Sequence, residues 1–223
     1  VTFANGSDEY VEFPMKRIEN GAWEYVYEGN HEGKYYTYVV TNSSYQNREV
    51  VDPYAKSTGI NGYRGMIVDF SKTNPEGWEN VVLHNIPSTS LTVYETHVAD
   101  VTSHASWGGT DAYAKLFKGL YETGTSYTSG NVTVSTGFDH IKELGVNAVQ
   151  LIPIYDQAND ERPDNDPTRT DGSVRKFNWG YNPLNYNSLD GIYSTNPYDG
   201  YTKIIEFKEL VKAYNEQGIN IIM

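Results

Sequence analysis

The feature that most constrains the fold is an alternation in the second half of the chain, where short apolar runs take turns with helical periodicity. LTVYETHV (91–98) is rich in β-branched and aromatic residues and predicts a strand. After a long loop, Thr136-Gly-Phe-Asp139 has the S/T-x-x-D/E form of a capping box, and Phe138, Ile141 and Leu144 are expected on one face of a short helix that stops at Gly145. The next apolar run, Val146 to Ile154, predicts a buried strand. Ile204, Phe207, Val211 and Tyr214 recur at helical spacing up to Gly218, and INIIM (219–223) opens another strand. Strand, helix, strand, helix, strand implies right-handed parallel βαβ units. The alternation alone leaves open whether the sheet closes; in a (β/α)8 barrel it accounts for three of about eight strands.

The first part follows a different grammar. Short strands are expected around Trp23 to Tyr27, Tyr35 to Val40, Arg48 to Val51 and Arg64 to Phe70, separated by Gly21, Gly29, Gly33, Gly59, Gly62 and Asp52-Pro53. That spacing reads as a β-sandwich, with fewer strands than the roughly seven such a module normally has. The expected organisation is therefore a partial β-sandwich over 1–85, followed by α/β, the first part of a (β/α)8 TIM barrel, over 86–223. Such a chain reads as a piece of a larger protein.

Charge and cysteine content exclude several functions. Seventeen Lys and Arg against 29 Asp and Glu give the 223 residues a net charge of -12, a surface that repels a phosphate backbone, so no nucleic acid is expected as a partner. With no cysteine there is no disulfide, thiolate metal site or cysteine nucleophile. No apolar run reaches the ~20 residues of a membrane span and the start lacks a signal-peptide pattern, so a soluble chain without membrane insertion is expected. The 20 Tyr and 4 Trp suit both sheet surfaces and stacking on sugar rings.

In parallel α/β architectures the site lies at the C-terminal ends of the strands, which directs attention to the loops after Val98, Ile154 and Met223. The stretch 155–200 reads as a long functional loop carrying Asp156, Asp160, Glu161, Asp164, Asp166, Asp171, Asp190 and Asp199. Of these carboxylates Asp156 alone follows a buried strand directly, and the others read as solvating the chain. The run from Asp160 to Asp171 lacks the EF-hand ligand pattern. The five histidines lack zinc-helix spacing; His97 stands out because it shares a side of its strand with Glu95, where a structural hydrogen-bonded pair is expected. Nucleophile-elbow, P-loop and dinucleotide motifs are absent.

FNWGYNP (177–183), with LNYNSLDGIYSTNPYDG (184–200), resembles the YNWGYDP signature of type I pullulanases in the α-amylase superfamily, glycoside hydrolase family 13. YETHVADVT (94–102), STGFDHIKELGVNAVQLIPIYD (135–156) and EFKELVKAYNEQGINIIM (206–223) agree in order. WEYVYEGNHEGKYYTYVV (23–40) and DPYAKSTGINGYRGMIVDF (52–70) look like the starch-binding-type sandwich before the barrel.

The resemblance implies a retaining hydrolase of α-1,6 branch linkages in pullulan, amylopectin and related α-glucans. Its catalytic carboxylates follow the fourth, fifth and seventh barrel strands, so none is expected in this chain. Tyr181 matches the tyrosine that stacks on the sugar beside the cleaved bond. Trp179, Asn178 and Asn182 join it as expected substrate-binding residues, with packing under the loop as the alternative for Trp179 and turn-holding for the two asparagines. Asn182 stands where the signature has Asp, and Phe177 where it has Tyr. The implied partners are an α-glucan and the remainder of the same polypeptide. No cofactor is required by the resemblance, calcium is left open for the parent enzyme, and an extracellular or cell-surface location is expected, with the cytoplasm as alternative. The rival readings are a non-catalytic α-glucan-binding protein and another debranching or branching enzyme of the superfamily.

Overall fold

The computed structural model describes residues 2–3, 9–164 and 176–223. Its first part is built from very short antiparallel strands: β1 (Thr2–Phe3), β2 (Tyr10–Val11), β3 (Lys16–Arg17), β4 (Trp23–Glu24), β5 (Tyr35–Tyr36), β6 (Tyr38–Val40), β7 (Arg48–Val50) and β8 (Gly65–Met66). Four of them form a sheet in the order β2-β1-β5-β8, and β3–β4 and β6–β7 make separate pairs. The expected strand from Trp23 to Tyr27 ends at Glu24. Beyond it the rings of Phe13, Tyr25, Tyr27 and His31 stack on one another, the closest pair, Tyr27 and His31, 3.8 Å between centroids. The expected strand from Arg64 to Phe70 stops at Met66, because Asp69 accepts the Ser71 N–H and turns the backbone into a 3-10 segment at Phe70–Thr73. A small core forms here from Tyr35 and Met66, covered by Val68 and by Tyr201 of the second half.

The second part contains β9 (Val93–Thr96), the hairpin β10 (Ser126–Ser129) and β11 (Val132–Ser135), α1 (Gly137–Glu143), β12 (Ala148–Leu151), β13 (Tyr155–Gln157), β14 (Pro183–Leu189), α2 (Thr202–Asn215) and β15 (Asn220–Ile222). The predicted βαβ units are present: β9, β12 and β15 are parallel neighbours, with Val149 opposite both Tyr94 and Ile221. The three strands make an open parallel sheet. Its core gathers Val98, Phe117, Ile141, Val149, Leu210 and Tyr214 between sheet and helices.

Several local expectations are corrected. The capping box does not form. Thr136 occupies the N-cap position, but its hydroxyl donates to the Trp107 carbonyl, while Asp139 accepts the Gly124 N–H at 2.5 Å and pairs with Lys142 at 2.6 Å. Leu144 is exposed, whereas Phe138 and Ile141 are buried. At about 100° per residue, six residues carry Leu144 some 120° away from Phe138 around the axis. The stretch 155–200 is not one loop: β13 and β14 pair antiparallel with shifts in register, which brings Asp156 opposite Asn185. Asp166 and Asp171, and with them most of the run weighed for calcium, lie outside the described residues. No helix among the described residues is long and apolar enough to cross a membrane.

Candidate functional site

The segment 177–182 lies beside the C-terminal ends of β9 and β12 and is tied down through its backbone. Strand β9 delivers the buried His97, whose Nδ1 accepts the Ala99 N–H at 3.1 Å. Its Nε2 lies 2.8 Å from the Asn178 carbonyl oxygen and 3.1 Å from the Tyr193 hydroxyl. Glu95 does not pair with His97; it accepts from Gln150 Nε2 at 3.0 Å, so the expected pair is replaced by contacts of opposite direction. Within the segment, Asn178 Oδ1 accepts the Gly180 N–H at 2.9 Å, an Asx turn. Gly180 takes φ +89°, and a Cβ there would collide with the Pro153 carbonyl. Asn182 N–H donates to Gln157 Oε1 at 3.2 Å and its carbonyl accepts the Ala158 N–H at 3.1 Å.

This anchoring turns two rings outward. Trp179 is 67% and Tyr181 69% exposed. Tyr181 lines a cleft of about 120 Å³ together with Glu95, Gln150, Tyr155 and Met223. Flat rings on an anchored backbone, with their faces in water, can stack on sugar rings. Asn182 is exposed, while the amide oxygen of Asn178 is occupied by the turn.

A second cluster lies below, at the junction of the two halves. Oxygen atoms of the buried Asp156, Glu161 and Asp190 all lie within 4.8 Å of one another. Asp156 Oδ2 accepts from Thr58 Oγ1 at 2.9 Å and from Asn185 Nδ2 at 2.6 Å. Glu161 accepts the N–H groups of Asn61 and Gly191, each at 2.6 Å. Asp190 accepts the Ile192 N–H at 2.9 Å and Asn159 Nδ2 at 2.8 Å. The buried Lys203 donates to Thr58 Oγ1 at 2.9 Å. Gly62, at φ +70°, lets its loop reach this knot, since a Cβ there would stand 2.5 Å from Asp156 Oδ2.

Burial pushes the Asp156 carboxyl up to about 6, with Glu161 adding to the rise and Lys203 opposing it. Burial, and then the charge of Glu161, holds Asp190 well above the usual carboxylate range. Asp156 Oδ1 and Asn159 Oδ1 are buried without a hydrogen-bond partner. Two open acceptor oxygens within a group of carboxylates make a hard-oxygen donor set, suited to a proton or to a hard cation such as calcium. Fully buried, Asp156 cannot reach a substrate. Sequence reasoning singled out Asp156 by its place after a strand but read Glu161 and Asp190 as solvating the chain; both are instead fully buried beside Asp156. Asp190 directly follows β14, whose largely polar sequence, PLNYNSL, gave no signal of a buried carboxylate.

Residues 1–55 match the family described as carbohydrate-binding module 48 (isoamylase N-terminal domain). Over 217 residues the chain is 30% identical to a pullulanase of Bacillus subtilis, covering 95% of this chain and 27% of that protein. The crystal structure of the pullulanase from Paenibacillus barengoltzii in complex with maltohexaose and α-cyclodextrin is 39% identical and superposes with a TM-score of 0.87, over 100% of this chain and 33% of that one. The pullulanase of Anoxybacillus sp. LM18-11 in complex with maltotriose is 34% identical, with a TM-score of 0.82, over 99% of this chain and 29% of that one. The chain thus spans a third or less of the length of these relatives.

Proposed function

We propose, for a chain that belongs with the pullulanases of glycoside hydrolase family 13, that it is part of an enzyme hydrolysing α-1,6-glucosidic branch linkages in pullulan, amylopectin and related α-glucans with retention of configuration. The observation that carries this reading is the pair of outward rings, Trp179 and Tyr181, on an anchored turn at the C-terminal ends of parallel strands. Solved relatives named as complexes with maltohexaose and maltotriose support an α-glucan as the ligand.

In this reading residues 1–85 are a carbohydrate-binding-type sandwich and 86–223 the start of the catalytic barrel. Tyr181 stacks on the sugar beside the scissile bond, Trp179 extends the apolar surface, and Asn182 and the free amide hydrogens of Asn178 meet sugar hydroxyls. The catalytic carboxylates come from other parts of the enzyme, and this chain by itself is inactive. The knot of Asp156, Asn159, Glu161 and Asp190 is the place for a calcium ion; such an ion would neutralise the carboxylates and brace the junction, with no part in bond cleavage.

Kinetics of the full-length enzyme on pullulan test the reading. Tyr181→Ala is expected to lower kcat/KM at least about tenfold, as for a lost aromatic contact of ~1–3 kcal/mol, with maltotriose as the product. Unchanged kinetics in that variant, or products other than maltotriose, would defeat it.

A further inference from the structure

Resting on that reading, we infer that His97 is a positioning residue for the sugar platform: it fixes where Tyr181 stands relative to the sheet without touching substrate. The argument begins with the ring nitrogens. Nδ1 accepts the Ala99 N–H and is therefore unprotonated, so in the neutral imidazole the proton sits on Nε2 and is donated to the Asn178 carbonyl. The ring thus joins the backbone just past β9 to a backbone group 81 residues away in sequence. Tyr193, buried, meets the ring edge-on at 5.8 Å between centroids, and Phe177 covers it at 4.9 Å, so its plane is held from two sides.

The anchored carbonyl belongs to the residue that makes the turn. Asn178 is bonded through its carbonyl to His97 and through its side chain to Gly180, and Tyr181 follows directly. Among the described residues, the side chains that hydrogen-bond 177–182 from outside are His97 at the front and Gln157 at the back. Gln157 belongs to the hairpin strand β13, whereas His97 directly follows β9 and, of these two side chains, is the one that ties the platform to the parallel sheet. An apolar residue at 97 would leave the Ala99 N–H and the Asn178 carbonyl without their partner, and the turn would be free to lift. A glutamine, whose amide nitrogen reaches about as far as Nε2, would keep the second bond.

The test is a double-mutant cycle on pullulan in the full-length enzyme, with thermal melting run alongside. His97→Phe is expected to lower kcat/KM about tenfold, and His97→Gln to stay within about threefold of wild type. In a Tyr181→Ala background His97→Phe is expected to add little, because both changes act on one platform. Full kcat/KM in His97→Phe, or losses that multiply in the double variant as a packing role requires, would overturn the inference. Wild-type rates for Tyr181→Ala would instead sink the substrate-site reading beneath it. If His97→Phe does not accumulate folded, His97→Asn, whose amide falls short of Asn178, takes its place with the same two outcomes.

Discussion

Gly180 carries the tightest constraint in the platform. Its positive φ is strained for any L side chain, and the Pro153 carbonyl fills the place of a Cβ. Gly180→Ala is therefore expected to cost about 1–3 kcal/mol, released in part by displacing the turn. Thermal melting and the fluorescence of Trp179 should both change, and unchanged values would show that the turn tolerates a side chain. At this scale the sequence was informative about identity. A contiguous motif named Trp179 and Tyr181, and both project into solvent. For Asn178 it offered sugar binding or turn-holding without choosing between them, since the occupation of its amide oxygen by the Gly180 N–H depends on backbone dihedrals that a motif does not state.

Two leucines show where periodicity stops: the spacing of Ile204, Phe207, Val211 and Tyr214 passed over Leu210, and that of Phe138, Ile141 and Leu144 included Leu144. Leu210 is fully buried within α2, while Leu144 lies at the C-cap of α1 and is exposed. Leu210→Ala is expected to cost about 2–5 kcal/mol and Leu144→Ala under about 0.5 kcal/mol, read from denaturant unfolding midpoints. Equal losses would contradict the burial. The helices themselves were legible because amphipathic spacing is a property of neighbours along the chain. The cap was not: Thr136 and Asp139 have the spacing of a box, yet a tertiary acceptor, the Trp107 carbonyl, and a tertiary donor, the Gly124 N–H, compete successfully for their side chains. Short strands in the first part escaped for a related reason, as ring stacking among Phe13, Tyr25, Tyr27 and His31 substitutes for ladder bonds beyond Glu24.

For the molecule as a whole, the knot around Asp156 joins the halves and makes their union sensitive to pH. The folded Asp156 holds its proton up to about pH 6, against 3.8 for the ordinary group, so its contribution is fully present below about pH 4 and is lost as pH rises through 6. Asp190 acts in the same direction. In chelator, wild-type protein is expected to lose up to about 3 kcal/mol relative to Asp156→Asn between pH 4 and 6, seen as a falling melting temperature. On the proposed calcium reading, added calcium at neutral pH should raise the melting temperature of wild type and not of Asp156→Asn. An equal calcium response in the two proteins would refute the metal assignment. The alternation of parallel strands with helices and the identity of the two exposed rings were determined by the sequence alone, because periodicity and a contiguous motif are local to the chain. The tertiary structure alone decided the knot, in which Lys203 reaches Thr58 across 145 residues and Asn61 meets Glu161 across 100. Those contacts arise when a glycine-bearing loop of one half packs against a hairpin of the other, and no spacing within either half encodes them.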